Sequence, residues 1–241
     1  MEGYIDMHCH ILPSVDDGAK DVEEMKKMLK IAYKEGIRCI IATPHHHPRR
    51  GKESAEVLRK KAVILREAAH EIDAHFRIYL GTEIYFGQDI LDKLQKKEVL
   101  TMNRRRFILV EFSPSDRFDY IRQSLQQLQM KGYEVILAHV ERYQCLTEDL
   151  ERVEQLQDMG VLLQVNAGSI CGDNGRKIKK TVKTLMDHDM IFCVGTDAHS
   201  SGSRAPHMKK AAEYVQKKYG QEYMRLSLIH ISEPTRLGMI S

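Results

Sequence analysis

Two histidines, His8 and His10, stand two residues apart at the end of an apolar opening run. Side chains of a β-strand alternate between its two faces, so these imidazoles are expected to point to the same side. A pair of neutral imidazoles on a rigid strand is suited to binding a borderline metal ion. The pair alone does not predict a metal site, because short histidine motifs without a metal are common.

Further residues of metal-ligand type follow the predicted strands along the chain. In chain order they are Asp16 and Asp17 after the first strand, His45, His46 and His47 after the second, then Glu83, Glu111, His139 and Asn166 at four strand ends, and Asp197 and His199 after the last. Nearly every predicted strand therefore ends in a histidine or a carboxylate. Such a series in register is improbable by chance, and it predicts a metal site.

The elements that must position these residues alternate between short apolar runs and longer amphipathic ones. Strands are predicted at 4–8, 38–42, 78–83, 106–111, 134–139, 161–166 and 191–196, and helices at 21–35, 54–74, 89–97, 119–131, 148–159, 176–187 and 206–219. A strand followed by a helix, repeated about seven times, predicts an α/β fold with a mainly parallel sheet. No linker rich in proline, glycine or serine divides the chain, which indicates one domain.

A closed barrel and an open doubly wound sheet both fit this alternation. In a parallel barrel the carboxyl ends of all strands converge on one rim, where active sites are built. In an open sheet the same residues would spread along a line. The ligand positions therefore favour the barrel.

Imidazole and carboxylate ligands without a thiolate suit Mn²⁺, Fe²⁺ or Zn²⁺ better than Ca²⁺ or Mg²⁺. Glu83, Glu111, Asp17 and Asp197 supply enough negative charge for two or three divalent ions, spaced about 3.5–4 Å apart. Such sites generate a hydroxide nucleophile near neutral pH, since metal ions lower the pKa of bound water. The predicted chemistry is hydrolysis, most naturally of a phosphate ester.

A phosphate substrate also requires protein cations. Arg142 lies three residues past His139 and Arg204 five residues past His199, both in predicted rim loops. The planar fork of arginine can bind two phosphate oxygens at once, although most arginines are solvated surface charges. Tyr143 and Phe86 are candidates for stacking on an aromatic substrate group, with packing as the alternative.

Composition excludes several other classes of protein. The 241 residues are 42% hydrophobic and 29% charged, with a formal net charge of +3 that is too small to indicate nucleic-acid binding. No run approaches a membrane span, so a cytoplasmic protein is expected. Five cysteines without a C-x-x-C pair argue against a disulfide scaffold, and none has an arginine six positions later as cysteine-dependent phosphatases do.

The last stretch, residues 227–241, departs from this pattern. It contains Pro234 and Gly238 and has no helical stripe, and the helix before it is complete. We predict a barrel domain over residues 1–226 and an atypical tail over 227–241 that is either frayed or foreign to the protein. No function is assigned to the tail.

Several blocks of this sequence resemble those of the PHP superfamily. The most specific are H-I-L-P-x-V-D-D-G-A near the start and H-V-E-R-Y in the middle, accompanied by A-T-P-H-H, V-N-A-G-S and G-T-D-A-H-S. More narrowly, they are similar to the manganese-dependent bacterial protein-tyrosine phosphatases of capsule and exopolysaccharide operons, of the CpsB/YwqE type. The resemblance runs in order from about residue 4 to residue 223.

The resemblance implies a distorted (β/α)7 TIM-like barrel with a trinuclear manganese site. Carried onto this chain, it assigns His8, His10, Glu83 and Asp197 to one metal, Glu83, Glu111 and His139 to a second, and Asp17, His45 and His199 to a third. Arg142 and Arg204 match its phosphate-binding arginines. His46 and His47 match no ligand, and Cys9, between two ligands, is expected to pack in the core. The implied substrate is phosphotyrosine in the tail of a bacterial tyrosine kinase.

Three other functions remain open from the sequence. A PHP phosphatase acting on a small metabolite such as histidinol phosphate would share the metal ligands and differ in the depth of its pocket. A nuclease would need a basic surface, for which only 104–106 is a candidate. A metal-binding module without catalysis is disfavoured by the intact ligand set with both arginines.

Overall fold

The computed structural model describes residues 3–229 of the chain, and within that range it contains nine strands. They are β1 (Tyr4–Cys9), β2 (Ile37–Ala42), β3 (His45–His46), β4 (Arg77–Leu80), β5 (Glu83–Tyr85), β6 (Phe107–Glu111), β7 (Glu134–Leu137), β8 (Leu162–Asn166) and β9 (Cys193–Gly195). Helices cover them: α1 (Val22–Lys34), α2 (Ala55–Ile72), α3 (Ile90–Gln95), α4 (Phe118–Met130), α5 (Gln144–Thr147), α6 (Leu150–Asp158), α7 (Ala167–Cys171), α8 (Arg176–Asp187) and α9 (Lys209–Met224).

Every strand pairing is parallel, in the orders β1-β2-β4 and β3-β5-β6-β7-β8-β9. The two groups are continuous along the chain, because β2 leads directly into β3 and β4 into β5. The result is a single α/β domain built on a curled parallel sheet, as the sequence predicts.

Residues just after β9 return to the side of β1. The Asp197 amide donates to the His8 carbonyl at 2.8 Å, and the His10 amide donates to Ala198 at 2.9 Å. The buried carboxylate of Asp6 accepts a 2.8 Å bond from the Thr196 amide and a 2.5 Å bond from the Thr196 hydroxyl. These bonds join the first strand to the end of the last.

The predicted strand 78–83 is in fact two strands, β4 and β5, and this part of the prediction was wrong. The neighbouring segment explains the break, since Pro44 between β2 and β3 has no N–H to donate. The Pro44 carbonyl still accepts from the Glu83 amide at 3.1 Å, and the Gly81 amide donates to Ala42 at 2.9 Å. The interruption separates the β1-β2-β4 ladder from the β3-β5 ladder that carries Glu83.

Other element boundaries also differ from prediction. The short strand β3 and helices α5 and α7 were not predicted, and the final strand is shorter than 191–196. Helix α9 begins three residues later than expected and continues past a non-helical Gly220 to Met224. A π-helical turn, Arg225–Ile229, follows it and buries Ser227 and Leu228. Residues 230–241 of the predicted tail lie outside the described residues, and the division at residue 226 remains a prediction.

Both faces of the sheet are buried, as is usual for parallel sheets. In β2, Ile40 packs beneath the helices while Cys39 and Ile41 face the interior of the curl. In β1 this alternation shifts: Met7 faces inward, but Cys9 belongs to the helix-covered core, as predicted. A register irregularity between Asp6 and Cys9 accounts for the shift.

No helix among residues 3–229 combines the length and the apolar character needed to cross a membrane.

Candidate metal centre

The buried carboxylate of Glu83 lies at the centre of a group of histidines. Its Oε2 atom is 3.2 Å from His8 Nε2, 3.1 Å from His10 Nε2 and 2.9 Å from His45 Nδ1. Its Oε1 atom is 2.9 Å from His139 Nε2. His8 and His10 lie at the end of β1, His45 and Glu83 begin the short strands β3 and β5, and His139 follows β7. The side chains converge as predicted from the sequence, although Glu83 begins a strand where it was predicted to end one.

The structure brings together all nine predicted metal-binding residues. Three sets have donor atoms within 4.8 Å of one another: His8, His10 and Asp197; His45, Glu83 and Glu111; and His10, Asp17, His45 and His199. His139 adjoins the second set, with Nε2 3.7 Å from Glu111 Oε2. The family resemblance assigns His10 and His45 to one metal each. In the structure, each of these histidines belongs to two of the three sets.

The donor atoms fit a metal ion better than they fit one another. His45 Nδ1 lies 2.9 Å from Glu83 Oε2 and 3.2 Å from Glu111 Oε1. None of these three buried atoms forms a hydrogen bond with any residue in the described range. Buried polar atoms without partners cost free energy. Lone pairs that converge on a shared space, from nitrogen and oxygen donors, are what a divalent ion requires.

The charges of the group indicate the same need for cations. Burial would lower the pKa of His45 and His139, but the neighbouring carboxylates of Glu83 and Glu111 raise both to about 9. Without another cation, these imidazoles would therefore hold protons beside the carboxylates. The pKa of His199 is lowered to about 3 by burial and by the nearby His10, so its imidazole remains neutral.

Asp16 contacts two ligand candidates, His10 and His45, through its carboxylate. Its Oδ2 atom is 2.8 Å from His10 Nδ1 and accepts from the His45 amide at 2.9 Å, while Oδ1 accepts from Gly18 at 3.0 Å. Asp17 is placed differently: its half-exposed carboxylate faces His45 Nε2 at 3.3 Å and His199 Nε2 at 3.6 Å. Asp17 is thus the member of the cluster, and Asp16 fixes the orientation of the His10 ring.

Gln164 in β8 binds two histidines of this group, and it was not predicted from the sequence. Its side-chain oxygen is 3.1 Å from His8 Nδ1 and accepts from the His139 amide at 2.9 Å. Its amide nitrogen donates to Asn166, which in turn donates to Asp197 at 3.0 Å. The available signal was an amide side chain within the apolar run L-L-Q-V-N.

Two of the predicted ligands have left-handed backbone conformations, His139 with φ 34° and Asp197 with φ 52°. Such conformations are uncommon outside glycine and persist where the surroundings hold them. Here the His139 amide is bound by Gln164 and the Asp197 amide by the His8 carbonyl. Both strand ends therefore turn sharply at the site.

The two predicted arginines meet at one carboxylate. Arg142 Nη2 donates to Asp197 Oδ2 at 2.5 Å, and Arg204 Nη2 donates to Asp197 Oδ1 at 3.0 Å. Their side chains remain 34% and 46% exposed, so both can reach a ligand from solvent. They line a cleft of about 470 Å³ that opens beside the metal centre.

The model of the family described as capsular polysaccharide synthesis, CpsB/CapC, matches residues 4–237. The chain belongs to the CpsB/CapC family. The tyrosine-protein phosphatase CpsB of Streptococcus pneumoniae is 35% identical to it over 240 residues, covering 98% of each chain. The resemblance noted in the sequence is therefore confirmed.

Solved structures agree with this CpsB/CapC assignment. The chain superposes with a TM-score of 0.85, at 33% identity, on a structure from a study of Bacillus subtilis YwqE and S. pneumoniae CpsB, described as unique metal-dependent tyrosine phosphatases; the match covers 91% of this chain and 89% of that one. A mutant organophosphorus hydrolase of Deinococcus radiodurans, at 12% identity and a TM-score of 0.63, covers 99% of this chain and 93% of its own, and shares the fold.

Neither aromatic residue proposed for substrate stacking is available for it. Tyr143 is fully buried, and its hydroxyl oxygen accepts from the Phe112 amide at 3.2 Å. Phe86 is 7% exposed and stacks on Phe112 with ring centroids 5.4 Å apart. The packing alternative is correct for both. Two other rings, His47 and Tyr85, contact each other near the rim with centroids 4.5 Å apart.

The three cysteines within the strands, Cys9, Cys39 and Cys193, are buried. Burial raises the pKa of Cys39 to about 12 and moves that of Cys9 well above its usual value. These thiols are protonated at neutral pH, which makes them unsuitable as nucleophiles.

Proposed function

We propose that this CpsB/CapC-family chain is a metal-dependent phosphatase that hydrolyses phosphotyrosine in proteins. One observation carries the proposal: a buried group of histidines and carboxylates, centred on Glu83, lies directly beside two partly exposed arginines that share Asp197. The first feature suits divalent ions and the second suits a phosphate group. The CpsB and YwqE relatives are described as tyrosine phosphatases, which supports the choice of substrate.

The metal ions would be held by His8, His10, Asp17, His45, Glu83, Glu111, His139, Asp197 and His199. Two or three Mn²⁺ ions are proposed, with iron or zinc as the alternatives that the same donor set accepts. When bound, such ions polarise phosphoryl oxygens and lower the pKa of water towards neutrality. Glu83 lies between the histidines of β1 and His139, which suits it to bridge two ions.

Arg142 and Arg204 are proposed to bind the non-bridging oxygens of the phosphate. Each arginine donates to Asp197 through Nη2, so the other N–H groups of its guanidinium can donate to a ligand. Asp197 holds the two forks side by side and so orients them before the substrate arrives. Charge that develops on the phosphoryl oxygens during hydrolysis would be stabilised by donors already in place.

We infer that the curled sheet is a distorted barrel of seven β/α units. The inference counts β2 with β3, and β4 with β5, as single interrupted strands. It is supported by the hydrogen bonds from Asp197 to His8 and from His10 to Ala198, which bring the last unit against the first. A barrel explains why ligands from six strand ends can meet at one rim.

For the biological substrate, we propose a tyrosine-phosphorylated protein of capsule or exopolysaccharide synthesis, such as the tail of a bacterial tyrosine kinase, encountered in the cytoplasm. The description of the family as one of capsular polysaccharide synthesis supports this choice.

The test is hydrolysis of a phosphotyrosine peptide by metal-stripped protein, before and after addition of Mn²⁺, with histidinol phosphate assayed alongside. We expect peptide turnover that requires Mn²⁺ and persists after alkylation of the thiols. Turnover of histidinol phosphate alone would move the substrate to a small metabolite. Turnover that alkylation abolishes would contradict the metal mechanism.

A further inference from the structure

Two neighbouring strands carry the same arrangement of side chains at the mouth of the metal centre. In β3 and its continuation, the ligand candidate His45 is followed two residues later by His47. In β5, Glu83 is followed two residues later by Tyr85. Side chains two apart on a strand point to the same face. Each strand therefore presents an aromatic ring above a metal-ligand candidate.

The two rings lie side by side because the two strands are paired in register. His45 pairs with Glu83, and the parallel ladder places the following residues next to each other. The rings of His47 and Tyr85 contact edge to face, with centroids 4.5 Å apart. Two residues of strand rise about 6.6 Å, and the centroids of His45 and His47 are 6.2 Å apart. The rings of His47 and Tyr85 therefore lie directly above the ligand candidates His45 and Glu83.

The hairpin that follows His47 fixes the orientation of its ring. The His47 amide donates to the Gly51 carbonyl at 2.8 Å, and the Arg49 amide donates to His47 Nδ1 at 3.0 Å. Gly51 approaches the ligand strand so closely that an added Cβ would lie 2.5 Å from the His45 carbonyl oxygen. The hairpin therefore lies against the strand that carries His45, and a larger residue at position 51 would push it away from this position.

Both rings remain accessible, in contrast to Phe86 and Tyr143. His47 and Tyr85 are half-buried, and they line a groove of about 930 Å³ together with Pro48, Lys52 and Lys93. This groove lies on the β3–β5 side of the centre, whereas Arg142 and Arg204 line the cleft beside Asp197. A phosphate held over His45 and Glu83 would place its organic substituent next to the ring pair, because the His47 ring lies 6.2 Å from the His45 ring.

We propose that His47 and Tyr85 form a binding subsite for the aromatic ring of an aryl phosphate, and that they select phosphotyrosine over alkyl phosphates. The proposal rests on the proposed function and specifies its substrate class. A substrate ring stacked on this pair would gain aromatic contacts that phosphoserine cannot make. His47, which matches no metal ligand, thereby acquires a role in specificity.

Binding measurements test the subsite separately from catalysis. The affinities of phenylphosphonate and methylphosphonate would be measured by calorimetry on the Mn²⁺-loaded protein. We expect His47→Ala and Tyr85→Leu each to weaken phenylphosphonate about three- to tenfold and to leave methylphosphonate unchanged. Tyr85→Phe, which keeps the ring, should bind both as the wild type does. Tyr133→Ala removes a half-buried ring next to the opposite end of β7 and should change neither affinity.

The same variants should lose discrimination between phosphotyrosine and phosphoserine peptides, measured as the ratio of kcat/KM values. An unchanged ratio of phenylphosphonate to methylphosphonate affinity in both His47→Ala and Tyr85→Leu would overturn the subsite, even if phosphotyrosine turnover persists. Failure of the proposed function would look different: the wild type would show no Mn²⁺-dependent turnover of either peptide. Tyr85→Leu keeps most of the side-chain volume, so it tests the ring without opening a large cavity.

Discussion

The metal centre has an inner and an outer part that differ in how they are held. The inner group, His8, Glu83, Glu111 and His139, is at most 5% exposed, and two of its members are bound by Gln164. The outer group, Asp17 and His199, includes an aspartate whose side chain is 45% exposed. A rigid, desolvated set of donors and a solvent-accessible set therefore lie next to each other at the same rim of the sheet. We expect metal ions in the inner group to be retained and an ion in the outer group to exchange.

Glu83→Gln should have the largest effect, because Glu83 lies within 3.2 Å of four imidazole nitrogens of the centre. Loss of its charge would weaken the donor that is proposed to bridge two ions, and turnover of a phosphotyrosine peptide should fall on the order of 10³-fold, about 4 kcal/mol of transition-state stabilisation. Metal content measured by mass spectrometry should fall with it. Full metal content and wild-type turnover would show that Glu83 is not a bridge.

His139→Ala should reduce activity on the order of 10²-fold and change folding stability far less. The imidazole contacts two carboxylates that bind metal in the proposal, so its loss acts mainly on the loaded centre. The measurement compares the decrease in kcat with the shift in the thermal unfolding midpoint of the metal-free protein. A variant with wild-type turnover would remove His139 from the inner group.

Arg142→Lys and Arg204→Lys should each lower kcat/KM on the order of 10–100-fold while metal content stays constant. Lysine keeps the charge but loses the planar fork that binds two oxygens and Asp197 together. Arg106→Lys, a salt-bridged arginine at the far end of β6, is the matched control. Loss of metal in the Arg142 variant would mean that the arginine supports the inner group rather than the substrate.

Asp17→Asn should have a smaller effect, about tenfold on activity at limiting Mn²⁺, and excess Mn²⁺ should restore most of it. The partly exposed carboxylate faces His45 and His199 and contacts none of the four residues of the inner group, so the inner ions should stay bound. A titration of activity against Mn²⁺ distinguishes the two groups. If Asp17→Asn were as damaging as Glu83→Gln and excess metal did not help, the proposed difference between inner and outer parts would be wrong.

The smallest expected effect concerns the loop that carries Arg204. Glu35 accepts from the Met208 and Lys209 amides at the start of α9 and from His207. Burial alone would raise the pKa of Glu35, but these bonds outweigh it and lower the pKa. The stabilisation is present above the unfolded-state pKa of about 4.3 and is lost as the pH falls through the folded value. Glu35→Gln should cost less than about 1 kcal/mol at pH 7, and urea unfolding should show this cost decreasing as the pH falls below the unfolded-state pKa.

Much of the centre could be predicted from the sequence, because His8, Glu83 and Asp197 belong to strand ends that parallel folds gather at one rim. The supporting residues could not be predicted in this way. Whether Asp16 or Asp17 faces the cluster depends on a loop conformation, and the role of Gln164 depends on its approach to His8 in β1 and to His139 after β7. The break between β4 and β5 was missed because it arises from Pro44 in the neighbouring segment between β2 and β3, not from the broken segment itself.

The bonds between Asp6 and Thr196, 190 positions apart, have a consequence for folding. The ligand candidates are distributed from residue 8 to residue 199, so they come together only when the first and last strands meet. Contacts of such sequence separation form late and slowly. A metal ion that binds only the assembled rim stabilises the native state by RT ln(1 + [L]/Kd), about 2.7 kcal/mol at a hundredfold excess over Kd. Metal supply would then set the lifetime of the folded chain, and a starved cell would lose the protein to proteolysis as well as its activity.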